Sequence, residues 1–237
     1  VGVADEGGWW PEFSSNEEAL ETLVRAIEDT GEKPGDRVVI SLDIAASEFG
    51  SKGRYRLALE DRELDRDQML DLLGRWIDSY PIVSIEDPLA EDDPEGMIAF
   101  TKAYGQRVQI IGDDYLVTNA ALVASAADAG ACNAVLIKVN QAGTVSESIA
   151  CMREAGRRGY RGIVSARSGE TEDVSISHLA VGLNAGQLKV GSFARSERMA
   201  KWNECLRIGD ALGAAAFVGG APLAGTWWGQ RAKSVSR

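Results

Sequence analysis

The chain has 237 residues, 45% of them hydrophobic, and a formal net charge of −11. This length allows one large domain or two small ones, and the hydrophobic fraction is ample for a core. The acidic balance argues against nucleic acid and anionic membrane surfaces as main partners, and it suits a soluble enzyme. No apolar run approaches the roughly 20 residues of a membrane span, and no signal peptide is visible.

The three cysteines, Cys132, Cys151 and Cys205, are odd in number and widely spaced. We interpret them as free thiols in a reducing compartment, because such a set is not a disulfide framework. The expected location is therefore the cytoplasm. The chain begins at Val1 and not at Met, so we expect it to be processed, trimmed or part of a longer protein.

Short apolar runs rich in Val and Ile, without alternating polarity, predict strands that are buried on both faces, as in a parallel sheet. After VGVAD at the start, which is a candidate for the end of one more strand, these runs are VVISLD (38–43), IVSIED (82–87), VQIIGDD (108–114), AVLIKV (134–139), GIVSA (162–166) and QLKVG (187–191). YRLALEDREL (55–64) alternates in part and predicts a small hairpin.

Helical patterns lie between these runs, and several carry capping signals. Ser15 and Glu18 form a candidate capping box, and Gly31 ends the same pattern. The predicted helical segments are 15–31, 65–81, 118–130, 144–159, 175–186 and 196–213.

The predicted strands recur at similar intervals, beginning at residues 82, 108, 134, 162 and 187. Each interval fits one strand, one helix and two tight loops, which indicates a parallel α/β barrel or an open doubly wound sheet. No Gly-rich dinucleotide or P-loop fingerprint follows a strand, which disfavours the nucleotide-binding open sheets. We assign residues 1–212 to the barrel part and residues 213–237 to a Gly/Ala-rich, loosely ordered tail.

The residues that end the predicted strands change from acidic to cationic along the chain. The acidic ends are Asp43, Glu86 and Asp113, and the later ends are Lys138, Arg167 with Ser168, and Lys189. In a βα barrel the carboxyl ends of the strands form one mouth, where the chemistry collects. The alternative is that these polar residues merely face solvent in loops.

Three converging carboxylates would repel one another unless a cation compensates them. A hard divalent ion with oxygen ligands does so, and Mg²⁺ suits a site that keeps positions for water and substrate. We therefore predict Mg²⁺ at Asp43, Glu86 and Asp113. The acids that follow Glu86 are expected to face solvent or nearby cations; they are Asp87, Glu91, Asp92 and Asp93.

Lys138 ends a buried run and is a candidate general base, although it could instead simply pair with one of the acids. Arg167, Ser168 and the backbone around Gly169 form a candidate cradle for a phosphate or carboxylate. Glu6 lies in the flexible stretch DEGG. His178 fits a helix surface or a core position better than catalysis, and without another histidine a Ser–His–Asp hydrolase is excluded.

At these residues the sequence resembles the enolase (phosphopyruvate hydratase) family. The stretches that carry the resemblance are VADEGG, SNEEALE, SLDIAASEF, YPIVSIEDPLAEDD, GDDYLVTN, LIKVNQAGTVSES, RSGETED, LAVGLNAGQLKVGS and ARSERMAKWN. The resemblance implies the TIM-type (β/α)8 barrel of the enolase C-terminal domain. It also implies a homodimer, a role in glycolysis and a small phosphorylated carboxylate as substrate.

The resemblance also implies a role for each candidate residue. Asp43, Glu86 and Asp113 match the ligands of the catalytic Mg²⁺, and Glu86 is also expected to lie against the substrate. Lys138 matches the base that removes the proton alpha to the carboxylate, and Lys189 matches a lysine that binds the substrate carboxylate. Glu6 matches the acid that assists departure of the 3-hydroxyl. Arg167 and Ser168 match the pair that binds the phosphate. Enolase-superfamily sites are themselves a known example of a Lys or His base acting with one or two Mg²⁺ ions.

Two departures from the family pattern bear on function. The family has His where this chain has Ala166, so an imidazole near the phosphate and the leaving hydroxyl is missing. These residues also do not include the stretch that enolases carry before DEGG, with a capping domain and the first strands, and seven runs do not close a barrel of eight strands. We therefore expect either that upstream sequence exists on the intact protein or that this piece depends on a partner.

The leading hypothesis is a Mg²⁺-dependent lyase that dehydrates 2-phosphoglycerate to phosphoenolpyruvate. Ala166 motivates one alternative, a relative in specialised metabolism that acts on a phosphonate analogue of phosphoenolpyruvate. The other alternative is a catalytically weak homologue that serves as a binding or scaffold subunit.

Overall fold

The computed structural model describes residues 1–213 and 216–235, with side chains up to Arg231. Contacts divide the chain into two compact units. We call one the carboxylate unit, which comprises Phe13–Leu116, Ser125–Ala134 and Leu223–Arg237. The other is the lysine unit, which comprises Val1–Glu12, Val117–Ala124 and Val135–Pro222.

Strands and helices alternate along most of the described chain. The strands are β1 (Gly2–Val3), β2 (Trp9–Trp10), β3 (Ile40–Asp43), β4 (Gly50–Ser51), β5 (Arg54–Leu57), β6 (Arg62–Asp65), β7 (Ile82–Glu86), β8 (Gln109–Gly112), β9 (Ala134–Ile137), β10 (Arg161–Ser165) and β11 (Leu188–Lys189). The α-helices are α1 (Asn16–Asp29), α2 (Arg66–Ser79), α3 (Pro94–Tyr104), α4 (Ala120–Ala129), α5 (Val139–Ala142), α6 (Val145–Arg157), α7 (Ser175–Gly182), α8 (Ser196–Leu212) and α9 (Trp227–Val235).

In the carboxylate unit, β3, β7 and β8 lie side by side and run parallel. Every residue of β7 and β8 is buried, as is usual for a parallel sheet, which is covered on both faces. Burial on both faces is the reason why the apolar runs that predicted these strands are unbroken. The predicted hairpin is also present, as β5 and β6, and β4 extends it to three antiparallel strands.

In the lysine unit, β9, β10 and β11 are neighbours, and β10 pairs with β11 in parallel. The register places Ser165 beside Lys189. The start of the chain forms a separate antiparallel hairpin of β1 and β2, where Trp9 and Trp10 are exposed.

Helix ends follow the capping signals in the sequence. The Ser15 side chain accepts a hydrogen bond from the Glu18 N–H at 3.2 Å, but the Glu18 carboxylate accepts from Ser14 rather than from Ser15. Asp65 and Gln68 form the full reciprocal capping box at α2. Helices α3 and α5 were not predicted individually.

The C-terminal segment differs from the expectation of a loosely ordered tail, since helix α9 occupies its end. The Trp227 Nε1–H donates to the Ile82 carbonyl at 2.7 Å, and the Trp228 Nε1–H donates to the Asp36 carbonyl at 2.7 Å. These two indoles therefore pack against the carboxylate unit. Residues 214–215 and 236–237 of the predicted tail lie outside the described residues, and the predicted boundary at residue 213 stays a prediction.

Two further expectations can be compared with the structure. Cys132, Cys151 and Cys205 are free thiols, and the first two are buried. Burial raises the pKa of the Cys151 thiol to about 12, so it stays protonated. Within residues 1–213 and 216–235, every helix is too short or too polar to cross a membrane.

Candidate functional site

The three predicted metal ligands follow neighbouring strands of the carboxylate unit. Asp43 ends β3, Glu86 ends β7, and the parallel register places these two residues side by side. Glu86 also pairs with Ile111, and Asp113 comes two residues later, just beyond β8. Glu86 and Asp113 are buried, with 3% and 7% exposure, whereas Asp43 is exposed. The register thus brings the three backbone positions to one end of the sheet.

A second, overlapping group of acids lies closer together. Asp87, Asp113 and Asp114 each offer one carboxylate oxygen, and these oxygens all lie within 4.8 Å of one another. In the described part of the chain this is the one such group of three. It shares Asp113 with the predicted set, while Asp43 and Glu86 stay predicted ligands. The structure therefore adds Asp87 and Asp114 to the candidates near a cation.

The expectation that Asp87 faces solvent is wrong. Its side chain is 3% exposed, and its two oxygens accept hydrogen bonds from the backbone N–H groups of Asp113 at 3.0 Å and Asp114 at 2.7 Å. Burial raises the pKa of Asp87 to about 7, even though these two hydrogen bonds act in the opposite direction. Asp87 thus fixes the backbone that carries Asp113.

The remaining acids of this run divide between solvent and a cation, as expected. Glu91 and Asp92 are exposed. Asp93 is buried, and its Oδ1 lies 2.6 Å from Arg66 Nη2 while its Oδ2 accepts from the Tyr55 hydroxyl at 2.8 Å. The Asp93 carboxylate, through its hydrogen bond, raises the pKa of Arg66. Asp93 is therefore part of a structural ion pair.

The donor set fits a hard divalent cation. The candidate ligands Asp43, Glu86 and Asp113 offer only carboxylate oxygens, which are the donors that Mg²⁺ takes in proteins. No histidine or cysteine belongs to the close group of Asp87, Asp113 and Asp114. Carboxylates crowded within 4.8 Å of one another repel, so positive charge at this position would stabilise them.

In the lysine unit, Lys138 follows β9 and is half-buried at the start of the short helix α5. Its backbone N–H donates to the Thr118 hydroxyl at 2.9 Å, and that hydroxyl donates to Gln141 Oε1 at 2.8 Å. Thr118 and its neighbour Val117 both have positive φ values, of 54° and 42°. Such angles are strained for β-branched residues, and strain of this kind clusters at functional sites.

Arg167 and Ser168 follow β10, where Arg167 is half-buried and Ser168 is exposed. Just before them Ala166 is buried, and its N–H donates to the Lys189 carbonyl at 2.9 Å. Lys189 itself ends β11. The predicted anion-binding residues therefore follow two adjacent strands of one unit.

Glu6 is also part of the lysine unit, although it stands near the start of the chain. Its carbonyl accepts a hydrogen bond from the Ser192 N–H at 2.8 Å. The segment that follows β11 therefore holds the DEGG stretch. This contact brings Glu6 to the same strand end as Lys189.

Two cations that sequence reasoning missed are buried in this unit. Arg198 and Lys201 lie three residues apart on α8, and both are 0% exposed. Their helix was predicted, but nothing in its pattern marks this face as buried, since it carries charges. His178 conforms to the surface interpretation, because it pairs with Glu204 at 3.0 Å and is largely exposed.

Strands alternate with helices in both units. Acids follow the strands of the carboxylate unit, and lysines, an arginine and a serine follow those of the lysine unit. This pattern defines an α/β protein of the βα-barrel class. The chain matches the family model described as "Enolase, C-terminal TIM barrel domain" over residues 1–225. It therefore belongs to the enolase family. The two sets of three strands in the described residues are fewer than the eight strands of a closed barrel, so the barrel is incomplete.

A curated relative is consistent with this membership. "Enolase 1" of Desulfitobacterium hafniense (strain Y51) is 52% identical to the chain over 219 residues. The alignment covers 91% of this chain and 50% of that relative. The chain thus spans about half the length of the curated relative it matches.

Proposed function

We propose that the chain carries catalytic residues of a Mg²⁺-dependent lyase that converts 2-phosphoglycerate to phosphoenolpyruvate. The observation that carries this proposal is membership of the enolase family together with the predicted residues at the strand ends. The name of the relative, "Enolase 1", also suggests a carbon–oxygen lyase. A glycolytic role, a cytoplasmic location and a homodimeric assembly belong to the proposal through the family resemblance alone.

In this proposal each residue has one task. Lys138 Nζ accepts the proton from the carbon alpha to the carboxylate, and Glu6 gives a proton to the 3-hydroxyl as its bond to carbon breaks, so that water leaves and a carbon–carbon double bond forms. Lys189 holds the substrate carboxylate, and Arg167 with Ser168 holds the phosphate. Asp43, Glu86 and Asp113 would hold Mg²⁺. When bound, the ion supplies positive charge that stabilises negative charge developing on the substrate carboxylate.

The test is an assay of the intact protein with 2-phosphoglycerate and Mg²⁺, which follows the ultraviolet absorbance of the enolpyruvate product. We expect product only when Mg²⁺ is present. Absence of product under these conditions would contradict the proposal. Calorimetry adds an independent readout, since Mg²⁺ should bind to the parent protein and not to Asp113→Ala. Without Mg²⁺ binding by the parent, the scaffold alternative would be favoured.

Ala166 motivates a second candidate, a lyase that acts on a phosphonate analogue. Its side chain is buried and directly precedes the proposed phosphate residues Arg167 and Ser168. Replacing an imidazole by a methyl group there removes a polar contact that can contribute several kcal/mol in a transition state. Turnover of 2-phosphoglycerate that rises in Ala166→His would support the first candidate, and preference of the parent for a phosphonate would support the second.

A further inference from the structure

Arg198 is a fully buried cation in the lysine unit that the proposed reaction does not use. Its guanidinium donates to four backbone carbonyls. Nη1 contacts the oxygens of Arg167 at 2.7 Å and Val190 at 3.4 Å, and Nη2 contacts those of Ser168 at 2.6 Å and Asp5 at 3.2 Å. Burying a charge is costly unless it is hydrogen-bonded, and these carbonyls provide that compensation.

The four carbonyls belong to segments that carry residues of the proposed site. Two of them are the carbonyls of the proposed phosphate residues themselves, Arg167 and Ser168. Asp5 precedes Glu6, and Val190 follows Lys189. One side chain therefore joins three segments that are far apart in the sequence, namely the DEGG stretch, the loop after β10 and the end of β11.

The stem of Arg198 packs beside two glycines, and at Gly191 only a glycine allows the backbone to approach so closely. A Cβ on Gly191, whose φ is +95°, would lie 2.3 Å from the Glu6 carbonyl oxygen and 3.0 Å from Arg198 Cδ. A Cβ on Gly7, with φ of +80°, would lie 3.5 Å from Arg198 Cγ. Both glycines lie in the segments that the guanidinium joins, so their packing and its hydrogen bonds fix the same arrangement.

We propose that Arg198 is a positioning residue for substrate binding, which holds Arg167, Ser168 and Glu6 in one arrangement by binding their loops through backbone carbonyls. This inference rests on the proposed function for the identity of the substrate. Arg198 acts through the loops, and the groups that would touch substrate are the three residues that it holds.

The geometry requires an arginine rather than any cation. A guanidinium is a planar fork whose two terminal nitrogens can each serve two acceptors, whereas a lysine offers three donors from a single nitrogen. Arg198→Lys therefore keeps the charge and most of the stem, but it can no longer bind carbonyls of all three segments together. This conservative variant separates the loss of positioning from the loss of a buried charge.

Lys201 provides a matched control on the same helix. It is as fully buried as Arg198, and its Nζ lies 2.6 Å from Glu170 Oε2 and also donates to the Thr171 carbonyl. Neither partner is a proposed substrate-binding residue, and Glu170 accepts a long hydrogen bond from the Arg167 N–H at 3.4 Å through its other oxygen. Lys201→Met thus removes a buried cation of α8 and its contacts without removing a contact to Arg167, Ser168 or the DEGG stretch.

The experiment compares the intact parent protein, Arg198→Lys and Lys201→Met by amide hydrogen exchange and by steady-state kinetics with 2-phosphoglycerate and Mg²⁺. In Arg198→Lys we expect faster exchange in residues 4–8 and 165–169 together, a KM higher by about 10-fold and a kcat lower by about 10-fold. In Lys201→Met we expect faster exchange around residues 167–172, parent exchange in residues 4–8, and an unchanged KM.

A merely structural role predicts a different result. In that case both variants would lower the melting temperature and the folded fraction alike, and the folded Arg198→Lys protein would keep the parent KM and the parent exchange in the two loops. Either unchanged KM or unchanged exchange in Arg198→Lys overturns the proposal. If the parent neither binds nor converts 2-phosphoglycerate, the proposed function fails, and the exchange of the two loops still decides whether Arg198 holds them.

Discussion

In the carboxylate unit, a buried acid accepts two backbone N–H groups, whereas in the lysine unit a buried guanidinium donates to four backbone carbonyls. Asp87 binds the backbone of two residues that directly follow the neighbouring strand. Arg198 binds the backbone of three segments, one of which, the DEGG stretch, is far from Arg198 in the sequence. In both units, a buried ionisable side chain that is not itself proposed to bind metal or substrate fixes the backbone of residues that are.

The difference between the two charges lies in what surrounds them. Burial raises the pKa of Asp87 to about 7, and the neighbouring Asp113 and Asp114 carboxylates act in the same direction, so its charged form is disfavoured. Arg198 donates to four backbone carbonyls and its Nε lies 3.8 Å from a Glu197 carboxylate oxygen, and all of these groups favour its charge. We infer that the carboxylate unit depends on an added cation for its electrostatic balance, and that the lysine unit carries its own cations. The predictions below test this contrast.

The largest expected effect concerns Lys138, because it is the proposed proton acceptor of the lysine unit. Lys138→Ala should lower kcat for 2-phosphoglycerate by about 10²–10⁴-fold, the usual contribution of a general base. KM should change little, since binding is assigned to other residues. The control is Lys102→Ala, which removes an exposed lysine of α3 and should leave kcat unchanged. A normal kcat in a folded Lys138→Ala protein would contradict the assignment.

The second prediction separates stability from metal binding in the carboxylate unit. Asp93 caps α3 and binds Arg66 and the Tyr55 hydroxyl while buried. Asp93→Ala should lower the free energy of unfolding by about 2–3 kcal/mol, because it leaves these donors unpaired and removes the cap. Urea denaturation measures this. Calorimetry should give the parent affinity for Mg²⁺ in the folded variant, and a lost affinity would mean that Asp93 belongs to the metal site.

The adjacent acid is the matched control for Asp93. Asp92 is exposed and accepts from the Ser51 hydroxyl at 2.6 Å and the Lys52 N–H at 2.7 Å. Water can replace both partners, so Asp92→Ala should cost well under about 1 kcal/mol. Equal losses from the two variants would show that burial of Asp93 does not determine its contribution.

The third prediction concerns Asp87 as a support for the metal ligands. Asp87→Ala removes the acceptor for the N–H groups of Asp113 and Asp114, so Asp113 is no longer held in place. The affinity for Mg²⁺ should fall by about 10–100-fold, as is usual when an outer-shell partner is lost. Calorimetry checks this. Asp87→Asn keeps one acceptor oxygen and should lose less, and an unchanged affinity in Asp87→Ala would remove Asp87 from this role.

The fold could be predicted from the sequence wherever the signal is local. The Val/Ile runs marked β3, β7, β8, β9, β10 and β11, because a strand buried on both faces has no polar alternation. Helix α3 was missed although Asp93 and Pro94 are ordinary start signals, since they stand at an acidic run whose side chains were expected to face solvent or nearby cations. Helix α5 has four residues, which is too short for a helical period to show.

The residues of the candidate site also differ in whether a local signal predicts them. Asp43, Glu86 and Asp113 could be predicted from their positions after strands, because the carboxyl ends of parallel strands share one edge. The positions of Asp87 and Arg198 could not be predicted, since their partners are backbone groups elsewhere in the chain. A backbone N–H or carbonyl is present at nearly every position, so the sequence carries no mark of which one a buried charge will meet.

The smallest expected effect concerns Thr118, which ties the backbone of Lys138 in the lysine unit. Thr118→Val keeps the β-branched shape, and with it the strain of the positive φ, and removes only the hydroxyl that binds the Lys138 N–H and Gln141. The free energy of unfolding should fall by about 1–2 kcal/mol because a buried donor loses its partner, which urea denaturation measures. Because Lys138 is then less firmly held, kcat should fall by several-fold, less than in Lys138→Ala.

Ser177 supplies the comparison that isolates this effect, because it is also a buried hydroxyl of the lysine unit. It donates to the Lys201 carbonyl of helix α8 at 3.2 Å. Ser177→Ala should therefore destabilise the protein by a similar amount, about 1 kcal/mol, with the parent kcat. If the two variants lose kcat equally, the loss follows from lowered stability, and Thr118 does not position the proposed base.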